Sequence, residues 1–183
     1  MFALWKYGGD GFDPNMNHRD LETQRAELNN LSQRVIACCT EVHRELGPGL
    51  LESAYEEALA FEFGRAGLAF RRQIDRPLNY KGVSLHCGYR IDFMIEEKLL
   101  LELKAVAALA PLHYAQLLTY LKLERQSLGL LVNFNVPALK DGVRRVVSGE
   151  LFLTDWPVDC VPGSSALLLG VSASLWLFSV LMM

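Results

Sequence analysis

No stretch of the chain constrains its fold more than Gly88–Lys104, GYRIDFMIEEKLLLELK. It predicts two strands joined by a three-residue turn at Glu96-Glu97-Lys98, with Ile95 paired to Leu99. Successive strand side chains point to opposite faces. Ile91, Phe93 and Ile95, with Leu99, Leu101 and Leu103, therefore make one wholly apolar face. The other face carries Asp92, Glu102 and Lys104 among apolar neighbours, and counting back from the turn sets Asp92 opposite Glu102. Two carboxylates facing each other across a ladder repel unless a cation lies between them. A divalent metal is the usual solution, because hard cations such as Mg²⁺ take carboxylate oxygens. Lys104 points to the same side and could reach a bound anion. The bland alternative is a hairpin edge that carries charge against aggregation, and the hairpin alone does not decide between the two.

The 183 residues are enough for one domain with a core. Apolar residues make up 51% and charged residues 21%, which excludes a disordered chain. The net charge of −3 provides no global field for nucleic acid, so any such binding must rest on a local patch. Cys38, Cys39, Cys87 and Cys160 form no CxxC pair, and the four histidines show no metal-ligand spacing. Reduced thiols fit this pattern better than zinc or a disulfide framework. No basic segment followed by an apolar run marks a secretory signal at the N-terminus.

Residues 1–15 have no clear period and are read as an extension, with Met16 a candidate start. From Asp20, the positions Leu28, Leu31, Val35, Cys38, Val42 and Leu46 give a helical apolar stripe that should stop at Gly47-Pro48-Gly49. A second helix is expected from about Leu50 to Arg65. Glu52 falls in its first turn, where the helix dipole favours negative charge, and Tyr55 lies on the same side. Phe70–Tyr80 reads as a strand carrying Arg71, Arg72 and Arg76, with a kink at Pro77. Lys81-Gly82 is a turn, Val83–Cys87 a short strand, and the 88–104 hairpin follows. Pro111 opens a third helix with Leu117, Leu118 and Leu121 in its core stripe, and Gln116 and Tyr120 at i, i+4 on a flank. Ser127–Phe134 is a near-continuous apolar run, as in a strand buried on both faces. Val143–Val147 and Leu151–Thr154 are candidate closing elements, with Arg144 and Arg145 expected in solvent. The last 18 residues, 166–183, carry no charge and sit at the lower length limit of a membrane span. No flanking Lys or Arg marks a cytoplasmic side, which counts against an anchor.

Taken together, these pieces resemble the GxxExxY family of the PD-(D/E)XK nuclease superfamily. The resemblance rests on Gly49-Leu50-Leu51-Glu52-Ser53-Ala54-Tyr55, then Arg90-Ile91-Asp92-Phe93, then Glu102-Leu103-Lys104-Ala105, and then Gln116 with Tyr120. Each motif is weak alone; their order over about residues 20–150 makes the match specific. The resemblance implies an α/β (α+β) fold, with a mixed sheet of about four to five strands flanked by helices. It also implies a Mg²⁺-dependent phosphodiesterase site, with Mn²⁺ as a substitute ion. Asp92 and Glu102 would be metal ligands, Glu52 an additional acidic ligand, and Lys104, Gln116 and Tyr120 further catalytic members. The superfamily's leading Pro-Asp is here Ile91-Asp92, a departure that does not touch the ligand.

The expected organisation is an extension at 1–15, a nuclease-like domain at 16–155, and a linker with an apolar tail at 156–183. The leading function is a metal-dependent nuclease located in the cytoplasm, with nucleic acid and a second copy in a homodimer as partners. The alternative is a non-catalytic nucleic-acid- or protein-binding module on the same fold, tethered to a membrane through residues 166–183.

Overall fold

The computed structural model of the chain describes residues 18–148. The expected extension at 1–15, the closing element at 151–154 and the apolar tail at 166–183 lie outside those residues. In chain order the elements are α1 (His18–Leu46), α2 (Glu52–Arg65), β1 (Phe70–Tyr80), β2 (Val83–Ile95) and β3 (Leu99–Lys104). They continue with α3 (Pro111–Leu123), β4 (Leu128–Asn133), α4 (Leu139–Gly142) and β5 (Val143–Val147).

The five strands form one sheet in the order β1-β2-β3-β4-β5. Strands β3 and β4 run parallel and every other pair is antiparallel, so the sheet is mixed, as expected. Parallel neighbours need a crossover, and α3 supplies it. All six residues of β4 are buried, which explains why its sequence is a continuous apolar run rather than an alternating one.

Two clusters make the core. In the first, Leu31, Val35 and Val42 of α1 and Tyr55, Leu59 and Phe63 of α2 meet Phe93, Leu101, Leu130 and Val132 of the sheet. In the second, Leu117 and Leu121 of α3 meet Met94, Leu100 and Leu131. The alternation of sheet residues between the clusters places them on opposite faces. α3 approaches β4 closely because residue 129 is glycine: a Cβ there would meet the Leu117 side chain at 3.0 Å.

The hairpin register is the expected one. Ile95 faces Leu99 and Phe93 faces Leu101 across a turn closed by the Lys98 N–H donating to the Ile95 carbonyl at 3.0 Å. Four expectations need correction. Val83–Cys87 is not a separate strand but the beginning of a 13-residue β2. Ile91 belongs to the second cluster with Met94 and Leu100, not to the face of Phe93. Opposite this point β1 has Gln73 at φ +51°, and the ladder skips Gln73 and Asp92, so the ribbon turns over there. Leu46 is 42% exposed at the α1 terminus rather than in the stripe. Arg145 is half-buried, and burial pulls its pKa down, whereas solvent exposure was expected.

Candidate active site in the split between β2 and β3

The ladder between β2 and β3 ends at Phe93–Leu101, one pair short of Asp92 and Glu102. Beyond it the strands diverge, and the two carboxylates lie in the opening. Like charges directly opposite would destabilise a continued ladder. Asp92 instead turns its Oδ2 to the Leu103 N–H at 2.8 Å, serving a backbone donor that β2 no longer serves. Glu102 is only 3% exposed. Its Oε1 accepts from Lys104 Nζ at 2.6 Å and from Gln116 Nε2 at 2.8 Å.

These surroundings set the charges. Burial, and then the charge of Asp92, push the Glu102 carboxyl up to about 7, against the bond and charge of Lys104. Burial also raises Asp92, opposed by the Leu103 hydrogen bond and by Lys104, and aided by Glu52. Burial alone would lower Lys104; the hydrogen bond and charge of Glu102, then Asp92 and Glu52, outweigh it and its pKa is raised. The site thus concentrates negative charge that one ammonium partly offsets.

Glu52 arrives from the start of α2, and its Oε1 accepts from the Ala105 N–H at 3.2 Å, just past Lys104. The preceding loop aims it there. Gly47 and Gly49 hold φ of +65° and +100°, values that side-chain-bearing residues rarely adopt. The Tyr55 hydroxyl donates to the Gly47 carbonyl at 2.7 Å and accepts from the Leu50 N–H at 3.1 Å. Its ring is fully buried and stacks on Phe134 at 4.5 Å. The spacing Gly49-x-x-Glu52-x-x-Tyr55 therefore has a physical cause. Glycine permits the turn, tyrosine ties it down one helical turn later, and the glutamate between them faces the site. Tyr55 itself does not face the carboxylates.

Gln116 and Tyr120 also come to the site, from α3. Gln116 Nε2 bridges Glu102 and the Tyr120 hydroxyl, the latter at 2.9 Å, so these residues brace a carboxylate rather than present free groups. Tyr120 stacks on Tyr89 of β2 at 4.7 Å. Tyr89 donates to Glu124 Oε1 at 2.6 Å, and Arg76 binds the other oxygen of Glu124 at 2.9 Å.

Sequence reasoning missed two residues. Glu56, one turn after Glu52, accepts from Gln73 Nε2 at 2.8 Å; burial first and Asp92 second raise its pKa. The i, i+4 pair of glutamates on α2 was the available signal. Asn133 is 1% exposed and stands beside Lys104 in the parallel ladder. Its amide exchanges bonds with the Val106 N–H at 3.1 Å and the Val106 carbonyl at 2.8 Å, fixing the connector after Lys104. An asparagine inside an apolar strand was its signal, since a buried amide needs partners.

Among the described residues no three His, Cys, Asp or Glu side chains are grouped so as to enclose a metal ion. The pair Asp92 and Glu102 nevertheless suits a hard divalent cation. Both offer oxygen donors, burial raises the pKa of both, and a cation between them would relieve their repulsion. Among the described residues no helix is long and apolar enough to cross a membrane.

A mixed sheet with helices on both faces, and an acidic pair followed by lysine where two strands diverge, defines a nuclease-like α+β domain. The chain belongs to the PD-(D/E)XK nuclease superfamily, whose model matches residues 29–146. Comparison with curated proteins and with solved structures returned no match.

Proposed function

We propose that the chain is a Mg²⁺-dependent nuclease of the GxxExxY type that hydrolyses phosphodiesters at the β2–β3 split. The observation that carries this reading is the assembly of Asp92, Glu102 and Lys104 in one opening, with Glu52 delivered beside it. Asp92 and Glu102 would hold the ion, and Glu52 would add negative charge from the start of α2. When bound, a divalent ion polarises a phosphoryl oxygen and lowers the pKa of a water. Lys104 then turns from Glu102 toward the phosphate and offsets the charge that grows on it during attack. Gln116 and Tyr120 hold Glu102 in place while this happens. Mn²⁺ offers the same preference for oxygen ligands.

The Lys104–Glu102 bond also suits the second reading, a binding module without catalysis, because the ammonium already supplies a cation to Glu102. Calorimetric titration with Mg²⁺, run beside a cleavage panel of DNA and RNA substrates, separates the two. The nuclease reading expects metal binding and cleavage that Asp92→Asn abolishes. Lack of metal binding at millimolar concentration with substrate present would replace it with the binding module.

A further inference from the structure

β2 is 13 residues long, yet β3 accompanies it only over Phe93–Ile95. From Asp92 outward, β1 and β2 pair with each other alone, and β1 is the edge of the sheet. They form a two-stranded arm whose base, at Ile74, Tyr89 and Ile91, packs on the second cluster beside the split and whose tip lies beyond it. An isolated ribbon of two strands is marginal in water, and this one is anchored at several points. Arg76 pairs with Glu124 at the end of α3. The Tyr89 ring lies on Tyr120, the residue that shares Gln116 with Glu102. The arm is also bent: the ladder shifts between Arg76 and Leu78, at Pro77, and a Cβ on Gly88 would lie 1.6 Å from the Arg76 carbonyl oxygen. Bulges of this kind re-aim a strand.

Its surface differs from that of the body. Ile74–Arg90 carries Arg76, Lys81 and Arg90 against Asp75, a net of +2 in a chain whose net charge is −3. The rest of the chain carries 15 basic and 20 acidic residues, so the arm is basic against an acidic remainder. At the tip, Tyr80 is 57% and Val83 61% exposed, and Lys81 lies over the Tyr80 ring at 5.3 Å rather than on a carboxylate.

We propose that the β1–β2 arm is a duplex-DNA-binding ribbon that enters the major groove beside the phosphate held at the split. The proposal rests on the nuclease reading for its substrate, and it names the substrate class. The major groove of B-form DNA is about 12 Å wide and admits a two-stranded ribbon, whereas the A-form major groove of duplex RNA is too narrow for side chains to read. From Ile74 to Tyr80 the arm extends roughly 20 Å at about 3.3 Å per residue. That length matches about six base pairs at ~3.4 Å each. The tip therefore meets the duplex at a distance from the cut, and Tyr80 and Lys81 supply a flat apolar surface and a phosphate-seeking charge there.

The test uses the full chain with the arm-tip double variant Tyr80→Ser/Lys81→Ser, which removes no core side chain. Binding is read by fluorescence anisotropy in Mg²⁺, in a Lys104→Ala background that prevents cutting, on DNA and RNA duplexes of about 20 base pairs. The expected result is a preference for the DNA duplex, at least a ~10-fold loss of that affinity in the tip variant, and a salt dependence shallower by about one ion. Cleavage is read with Lys104 intact. The tip variant should lose activity on the long DNA duplex and keep it on a stem of about six base pairs that spans only the split. Unchanged affinity and cleavage on long DNA would overturn the arm while leaving the nuclease reading in place. So would equal affinity for RNA, or a loss that tracks dissociation of a dimer in sedimentation, which would make the tip a contact between copies. Absence of any duplex binding also overturns it. Tip-dependent DNA binding without cleavage by the wild-type chain would sink the nuclease reading and keep the arm.

Discussion

At the scale of single residues, the site depends on side chains that hold other side chains. Tyr55 is the clearest case: its hydroxyl joins Gly47 and Leu50, and through that loop it sets where Glu52 begins its helix. Tyr55→Phe keeps the ring on Phe134 and removes both bonds. Leaving buried partners unsatisfied costs about 1–3 kcal/mol, so urea denaturation should show a loss of that order. Cleavage should fall further than the lost folded fraction accounts for, because Glu52 is no longer aimed. Lys104→Ala should abolish cleavage and leave Mg²⁺ binding in calorimetry largely intact, since the two carboxylates remain. If this variant loses metal binding as well, Lys104 orders the carboxylates rather than serving the phosphate.

At the scale of elements, α3 and the sheet must keep a fixed spacing for Gln116 to reach Glu102. Gly129 favours that spacing, since a Cβ there would stand 3.0 Å from the Leu117 side chain and require it to shift. Gly129→Val should push α3 outward and overpack the second cluster. Overpacking of this kind costs about 1–3 kcal/mol. Activity should drop even where the variant is fully folded, because Gln116 would leave Glu102. The check is cleavage per folded molecule, with folding followed by thermal melting; activity in proportion to folded protein would show that the α3 contact is structural only.

For the whole molecule, the buried carboxylates make stability depend on pH and metal. Glu102 stands at about 7 in the folded chain, above its ordinary 4.5, and Asp92 is also raised. The folded state therefore binds protons more tightly than the unfolded state. Without metal, stability should be greatest on the acid side of this window and fall as pH rises from about 4.5 through about 7. Each pH unit of displacement is worth about 1.4 kcal/mol, so Glu102 alone accounts for a fall of order 3 kcal/mol. Glu102→Gln should flatten that slope, and Mg²⁺ should raise the melting temperature of the wild-type chain more at pH 8 than at pH 5, as expected of a ligand that binds the folded, ionised site. Melting curves across pH, with and without Mg²⁺, test both; a slope unchanged by Glu102→Gln would remove the carboxylate explanation.

The local signals determined a great deal. Alternation and the turn in Gly88–Lys104 set the hairpin register, the apolar run at 127–134 announced the strand buried on both faces, and Gly47-Pro48-Gly49 stopped α1. Such features depend on near neighbours and on the period of side chains along a strand or helix, both of which are written in sequence order. The order of motifs was enough to suggest Asp92, Glu102 and Lys104 as one set. What tertiary structure decided was which groups meet across the sheet. The β2–β3 ladder stops just before the carboxylates, Ile91 turns to the other face, Tyr55 ties a loop instead of facing the site, and Gln116 braces Glu102. The continuous β2 and its projecting arm were likewise hidden, because only β3 ending its pairing at Phe93 shows where β2 leaves the sheet. The burial of Glu102, and hence its charge, follows from α3 packing over β4, a contact between segments that no local pattern encodes.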